Sequence, residues 1–271
     1  GKYVVSGSKD KKINMWEQSS GRLVRTLIGH TKQVTSVVLS PDGKYVISGS
    51  NDKSIKIWEF NTGKLIYTLK GHTFYVLSVA ISPDGRYIAS CSFDRTIKIW
   101  ELSTGKLVRT IEGHQKEINS IAISTDSKYL VSGSADKTIK IWDFPSGELF
   151  KTIHGSNRQV TSVTFSSDGK YVISSSRDNS IKVWELTTGN LVRTLEGHAF
   201  FVRSITLSPN DKYLVSGSFD KEVKVWDFST GNLIETLKKH KKEVNSVAFS
   251  PNFKYIVSGS SDNTINIWEL Q

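Results

Sequence analysis

Trp16, Trp58, Trp100, Trp142, Trp184, Trp226 and Trp268 are the only tryptophans in the chain, and every interval between them is 42 residues. Asp10, Asp52, Asp94, Asp136, Asp178, Asp220 and Asp262 keep the same step, each six residues before its tryptophan. A fixed period of this length is the signature of a repeated supersecondary unit that cannot bury its apolar face alone and must stack on its neighbours. The chain has 271 residues, which fits one large all-β domain or two ordinary ones. The period decides for one array.

One period contains four β signals. VTSVVLS (34–40) is followed by Pro41-Asp42-Gly43, and KYVISGS (44–50) by Asn51-Asp52-Lys53. SIKIWEF (54–60) alternates polar and apolar residues and ends at Asn61-Thr62-Gly63; KLIYTL (64–69) ends at Gly71-His72. Short runs of β-formers between Gly, Pro, Asn and Asp read as an antiparallel meander, and no stretch keeps a helical period. A lone four-stranded sheet leaves apolar faces wet, so the sheets are expected to stack radially around an axis.

These residues resemble the WD-repeat family of β-propellers over the whole chain. The resemblance rests on Gly-His before the first strand (29–30, 71–72, 113–114, 197–198), on S-P-D-G turns, on S-G-S-x-D and on I-K-[IV]-W-[DE]. The final dipeptide is mostly Trp-Glu here; only Asp143 and Asp227 give Trp-Asp. The resemblance implies an all-β, seven-bladed propeller with four-stranded antiparallel blades, strands a to d running from inside to outside. One propeller domain is expected over 1–271, with a partial blade one at 1–28, blades two to six at 29–238 and a partial blade seven at 239–271. The first phrase, GKYVVSGSKD, enters just before a strand b, so b and c each occur seven times and a and d six times. Seven full periods exceed the chain by 23 residues, the length of one d strand, one turn and one a strand. The family pattern implies that this N-terminal d–a piece is missing from the chain, which could be the C-terminal sensor module of a larger protein. The alternative is a degraded first blade in a ring that closes with fewer strands.

The formal net charge is +10, which raises nucleic acid or an anionic membrane as partners. The lysines are periodic, however. Lys44, Lys128, Lys170, Lys212 and Lys254 precede one strand, and Lys56, Lys98, Lys140, Lys182 and Lys224 lie inside another. A period spreads charge instead of making a groove, so both sets read as solvated strand faces. No apolar run reaches membrane-spanning length, which argues against membrane insertion. Cys91 is the one cysteine; it excludes an internal disulfide framework and fits a reducing, cytoplasmic setting, or a nuclear one in a eukaryote. It stands where other copies have Gly7, Gly49, Gly133, Ser175, Gly217 and Gly259, and reads as a packed small residue.

Most repeats pair a Ser, a His and an Asp with the tryptophan: His30, Ser48, Asp52 and Trp58; His72, Ser90, Asp94 and Trp100; His114, Ser132, Asp136 and Trp142; His198, Ser216, Asp220 and Trp226; His240, Ser258, Asp262 and Trp268. Ser, His and Asp together suggest hydrolysis. Five copies suggest architecture, since catalysis needs one site, and no G-x-S-x-G elbow is present. The family resemblance implies a structural tetrad, Trp to Ser to His to Asp, and no enzyme, cofactor or metal. Blade five departs: IHGSNRQV (153–160) puts Ser156 at the His position, with His154 two places early. A tolerated loss of one link and a turn reshaped for binding are both open readings.

Positions that differ between copies are free for function. They cluster after Gly-His and before the repeated Asp, two loops that the family places on one rim beside the central channel, where binding residues belong. Blade three carries Phe74, Tyr75 and Phe93 there, and blade six Phe200, Phe201 and Phe219; Arg203 follows the first valine of strand a, and Arg158 and Arg177 come from blade five. One aromatic of each adjacent pair is expected to pack inward. Aromatics with arginine make interface hot spots. The expected function is therefore a monomeric, non-enzymatic scaffold for a protein or peptide with acidic and apolar residues. Nucleic acid, stacked on the same rings, is the alternative. Neither Trp-Asp-x-Arg nor Phe-Arg-Arg-Gly occurs, so the family's ubiquitin-ligase adaptor and phosphoinositide roles find no support.

Overall fold

The computed structural model describes residues 2–270; Gly1 and Gln271, the ends of the expected domain, lie outside the described residues. It contains 26 β-strands and, among the described residues, no helix. The strands form seven antiparallel sheets of consecutive strands: five with four strands and two, the first and the last, with three. The fold is an all-β, seven-bladed β-propeller. Blade two shows the pattern, with a at Val34–Leu39, b at Tyr45–Ser50, c at Ser54–Glu59 and d at Leu65–Lys70. Strands a and d occur six times, b and c seven.

The strands divide into two compact units, Gly1–Ser132 with Trp142–Leu149, and Gly133–Ile141 with Phe150–Gln271. In the first unit, Ile47, Ile55, Ile57 and Leu69 of blade two pack against Val76, Val79, Ile88 and Trp100 of blade three. Val46 and Trp58, on the opposite face of blade two, pack against Ile13, Met15 and Leu27 of blade one. Successive side chains of a strand point to opposite faces, so each inner sheet has two dry faces, one for each neighbour. That is why strand b of blade two is buried at every position after Tyr45. In the second unit the same alternation joins Ile173, Ile181 and Val183 of blade five to Val202, Ile205 and Trp226 of blade six. Val215, Val223 and Val225 of blade six then meet Val244 and Val247 of blade seven.

Strand a pairs with strand b through a bulge. In blade two Val34 lies opposite Ser50, but Ser36 lies opposite Gly49, which leaves Thr35 outside the ladder. Blade six repeats this between Val202 and Ser204, so Arg203 is the bulged residue. A bulge re-aims the extra side chain. A backbone bond then ties the residue before the repeated Asp to the loop entering strand a: Phe93 N–H to the Tyr75 carbonyl at 2.9 Å, Arg177 to Gln159 at 2.9 Å and Phe219 to Phe201 at 3.0 Å. The two variable loops of each of these blades are thereby neighbours.

Candidate functional site

The tetrads are closed hydrogen-bond chains. In blade two Trp58 Nε1–H donates to Ser48 Oγ at 2.9 Å, Ser48 Oγ lies 2.8 Å from His30 Nε2, and His30 Nδ1 lies 2.7 Å from Asp52 Oδ2. A carboxylate can only accept, so Nδ1 carries the proton and Nε2 accepts from the serine hydroxyl. The Thr31 amide donates to the same carboxylate oxygen at 3.0 Å. Blades three, six and seven repeat the chain, with His–Asp distances of 2.8, 2.6 and 3.0 Å. In blade four, His114 and Trp142 both reach Ser132, at 2.8 Å each. Ser48, Ser90, Ser132, Ser216 and Ser258 are each 0% exposed, so these hydroxyls are closed off from solvent.

Desolvation opposes ionisation of Asp52, but bonds from His30, Ser54 and the Thr31 amide outweigh it and hold the carboxyl below its ordinary 3.8. Asp94, Asp220 and Asp262 are lowered in the same way, against desolvation, by their own histidine and turn bonds. Cys91 is wholly buried with its thiol 3.2 Å from the Ile118 carbonyl, and burial raises its pKa. No group of three His, Cys, Asp or Glu side chains suited to a metal occurs among the described residues.

The strand-c lysines correct the sequence reading. Lys44, Lys128 and Lys170 are solvated, at 72%, 73% and 74% side-chain exposure. Lys56, Lys98 and Lys224 are buried, and each ammonium donates to a threonine across the c–d ladder: Thr68 at 2.8 Å, Thr110 at 2.8 Å and Thr236 at 3.0 Å. The butyl stem covers the sheet while the charged end finds a hydroxyl. Lys182 of blade five differs. Its ammonium donates to the Gly155 carbonyl at 2.5 Å and sits 3.9 Å from Asp178. With Ser156 in place of histidine, this lysine turns toward the repeated aspartate. Ser156 itself bonds Ser176 Oγ at 2.7 Å and the Arg158 carbonyl at 2.6 Å. Trp184 keeps its bond to Ser174 at 2.8 Å.

In the first unit, Phe74, Tyr75 and Phe93 form one cluster, with ring centroids 4.6 Å apart for Phe74–Tyr75 and 5.1 Å for Phe74–Phe93. Phe74 and Phe93 are exposed and Tyr75 is half-buried. Lys32 lies 5.6 Å from the Tyr75 ring and Lys53 5.7 Å from the Phe74 ring. The side-chain oxygen of Asn51 nearby in sequence is buried without a hydrogen-bond partner.

In the second unit, Phe201 is half-buried and packs on Phe219 at 5.6 Å, while Phe200, at 59% exposure, stands in water. The Arg177 guanidinium covers the Phe201 ring at 5.5 Å. Arg158, Gln159, Arg177, Asp178, Asn179 and Phe201 line an open recess of about 500 Å³. Arg203 reaches water, yet protein crowds it; desolvation and then the Arg177 charge lower its pKa. The side chains thus fall into two groups, one in each unit. The exposed apolar pairs that begin the outer strands, such as Leu107–Val108 and Leu233–Ile234, escaped the sequence reading because they look like any other β-formers.

The WD domain, G-beta repeat family matches at residues 21–59, 63–101, 105–143, 147–185, 189–227 and 231–269. The Lissencephaly-1 homolog of Branchiostoma floridae is 46% identical over 43 residues, 16% of this chain and 11% of that protein. Nuclear distribution protein PAC1 of Arthroderma otae is 49% identical over 43 residues, 16% and 9% of the two chains. The PAC1 protein of Cryptococcus neoformans var. neoformans, strain JEC21, is 42% identical over 43 residues, 16% and 10%. Each of these alignments spans about a tenth of the relative and one repeat of this chain, so the likeness is that of the repeat unit. Six in-phase matches cover most of the sequence, and the chain belongs to the WD domain, G-beta repeat family.

Proposed function

We propose that this propeller is a non-enzymatic, monomeric, cytoplasmic scaffold that binds a protein or peptide partner through the variable loops of blades three, five and six. The partner carries acidic and apolar residues. One observation carries the reading. The loops that differ between copies expose aromatic rings beside cations, with Phe74 at 40%, Phe93 at 44% and Phe200 at 59% exposure. Exposed aromatics near arginine or lysine are the composition of interface hot spots, where ring burial supplies affinity and charge supplies orientation.

The test is a pull-down from the native lysate with the wild type and with a variant carrying Phe74→Ala, Tyr75→Ala, Phe200→Ala and Phe201→Ala. Circular dichroism checks that the variant folds. Loss of a protein partner from the folded variant supports the scaffold; an unchanged bound set makes those rings structural. Nucleic acid is the second reading, favoured by the net charge of +10 and the open face of Phe200. It requires affinity that falls steeply with salt.

A further inference from the structure

We propose that Arg158, Arg177 and Arg203 form a receptor for a phosphate monoester on a peptide, with Phe201 and Phe219 as the apolar wall beside it. The proposal deepens the scaffold reading by naming the chemistry of the partner at blades five and six. Three features of the recess carry it. First, the arginines come together: Arg158 and Arg177 line one open recess, and the strand that carries Arg203, Val202–Leu207, packs on the strand that leads into Arg177, Tyr171–Ser176, so that the two cations repel. Second, none of the three is ion-paired. The one carboxylate in the recess, Asp178, faces Lys182, and none of the ion pairs seen among the described residues uses any of the three arginines. Third, the site is built and not merely solvated. Arg203 is the extra residue of a β-bulge, and Arg177 is braced on the Phe201 ring.

The charge balance selects the ligand. A carboxylate neutralises one guanidinium and offers two oxygens. A phosphate monoester carries close to two charges and three acceptor oxygens, enough for bidentate bonds from two guanidiniums. A phosphodiester strand offers one charge per unit and wants cations strung along a track, whereas Arg158 and Arg177 share one recess and Arg203 stands on the strand packed beside it. The divergence of blade five belongs to the same arrangement. A histidine at position 156 would leave Lys182 with its threonine; with Ser156, the ammonium sits 3.9 Å from Asp178 and partly offsets the one carboxylate in the recess.

Fluorescence anisotropy with fluorescein-labelled Gly-Leu-phosphoserine-Leu-Gly, and with its Ser and Glu counterparts, tests the proposal on the whole chain. The expected result is binding of the phosphopeptide at least tenfold tighter than either counterpart. Arg177→Gln with Arg203→Gln removes that preference, while Lys170→Gln, which deletes a solvated charge elsewhere in the same unit, keeps it. The double variant relieves the Arg177–Arg203 repulsion but gives up the Arg177 contact with Phe201, so circular dichroism checks that it folds. Equal affinity for the Ser or Glu peptide, a preference that survives the double variant, or tighter binding of a five-residue oligothymidylate each overturns the phosphate site. If the peptide fails while the four-aromatic variant still loses its protein partner, the phosphate site falls and the scaffold stands.

Discussion

Lys182 stands at the same place in its repeat as Lys56, Lys98 and Lys224, yet its ammonium reaches Gly155 and Asp178 instead of a threonine. The neighbour decides. Where histidine fills the corner, Asp takes its bond from the imidazole and the lysine lies along strand d. Where serine leaves the corner empty, the long flexible side chain moves in, and a carboxylate that would otherwise face a void gains a cation. Removing one partner of a partly buried pair orphans the other. Lys182→Met is therefore expected to destabilise the protein by about 1–3 kcal/mol. Adding Ser156→His to Lys182→Met is expected to restore part of the loss, because the imidazole can then bond both Ser174 and Asp178. Thermal unfolding of the two variants and of the wild type checks this; equal Tm values for the single and double variants would refute it.

The small residue of strand b marks how closely two blades approach. A Cβ built on Gly49 would lie 2.7 Å from Val76 Cγ1 and 3.1 Å from Val79 Cγ1, both side chains of the dry seam between blades two and three. Overpacking a rigid core costs about 1–3 kcal/mol. Gly49→Ala is expected to cost that much, and Val76→Ala in the same chain to recover part of it, measured by urea unfolding. If Gly49→Ala proves neutral, the seam is looser than the distances require. Cys91 occupies the corresponding place in blade three, fully buried with its thiol on a carbonyl, as the comparison of copies suggests for a small residue.

At this scale the strands were legible because Asp and Gly punctuate every period and the Trp step fixes the phase. The tetrads were legible through the family resemblance. The fate of the strand-c lysines was not. Their spacing is identical whether the ammonium meets water, Thr68 or Asp178, and only the packed sheet distinguishes them. Nor does the order Phe200-Phe201 reveal which ring stays in water. The packed loops decide it differently in the two blades: Phe201 lies against Phe219 at 5.6 Å, whereas in blade three the first ring, Phe74, is the nearer to Phe93, at 5.1 Å.

Across the whole molecule, repetition multiplies small effects with one sign. Asp52, Asp94, Asp220 and Asp262 all have carboxyls held below 3.8 in the folded chain. An unfolded Asp protonates near about 3.9. Between that value and the lowered folded pKa, the unfolded chain binds a proton that the folded chain refuses, so stability falls as pH falls. The stabilisation is fully present above about pH 5 and is lost progressively below about pH 4, through the lowered folded values. Four carboxylates in register add their slopes, so unfolding should take up several protons at once, and Tm should drop steeply across this window. Asp52→Asn removes one of the four. Its Tm should lie below that of the wild type at pH 6, through loss of the charged hydrogen bonds. The gap should narrow toward pH 3, where the wild-type aspartate also gives up its charge advantage. Scanning calorimetry from pH 3 to pH 6 reads both slopes. A gap that stays constant or widens in acid would mean that the aspartate acts by shape alone and that the charge in the His–Asp bond contributes nothing to the blade.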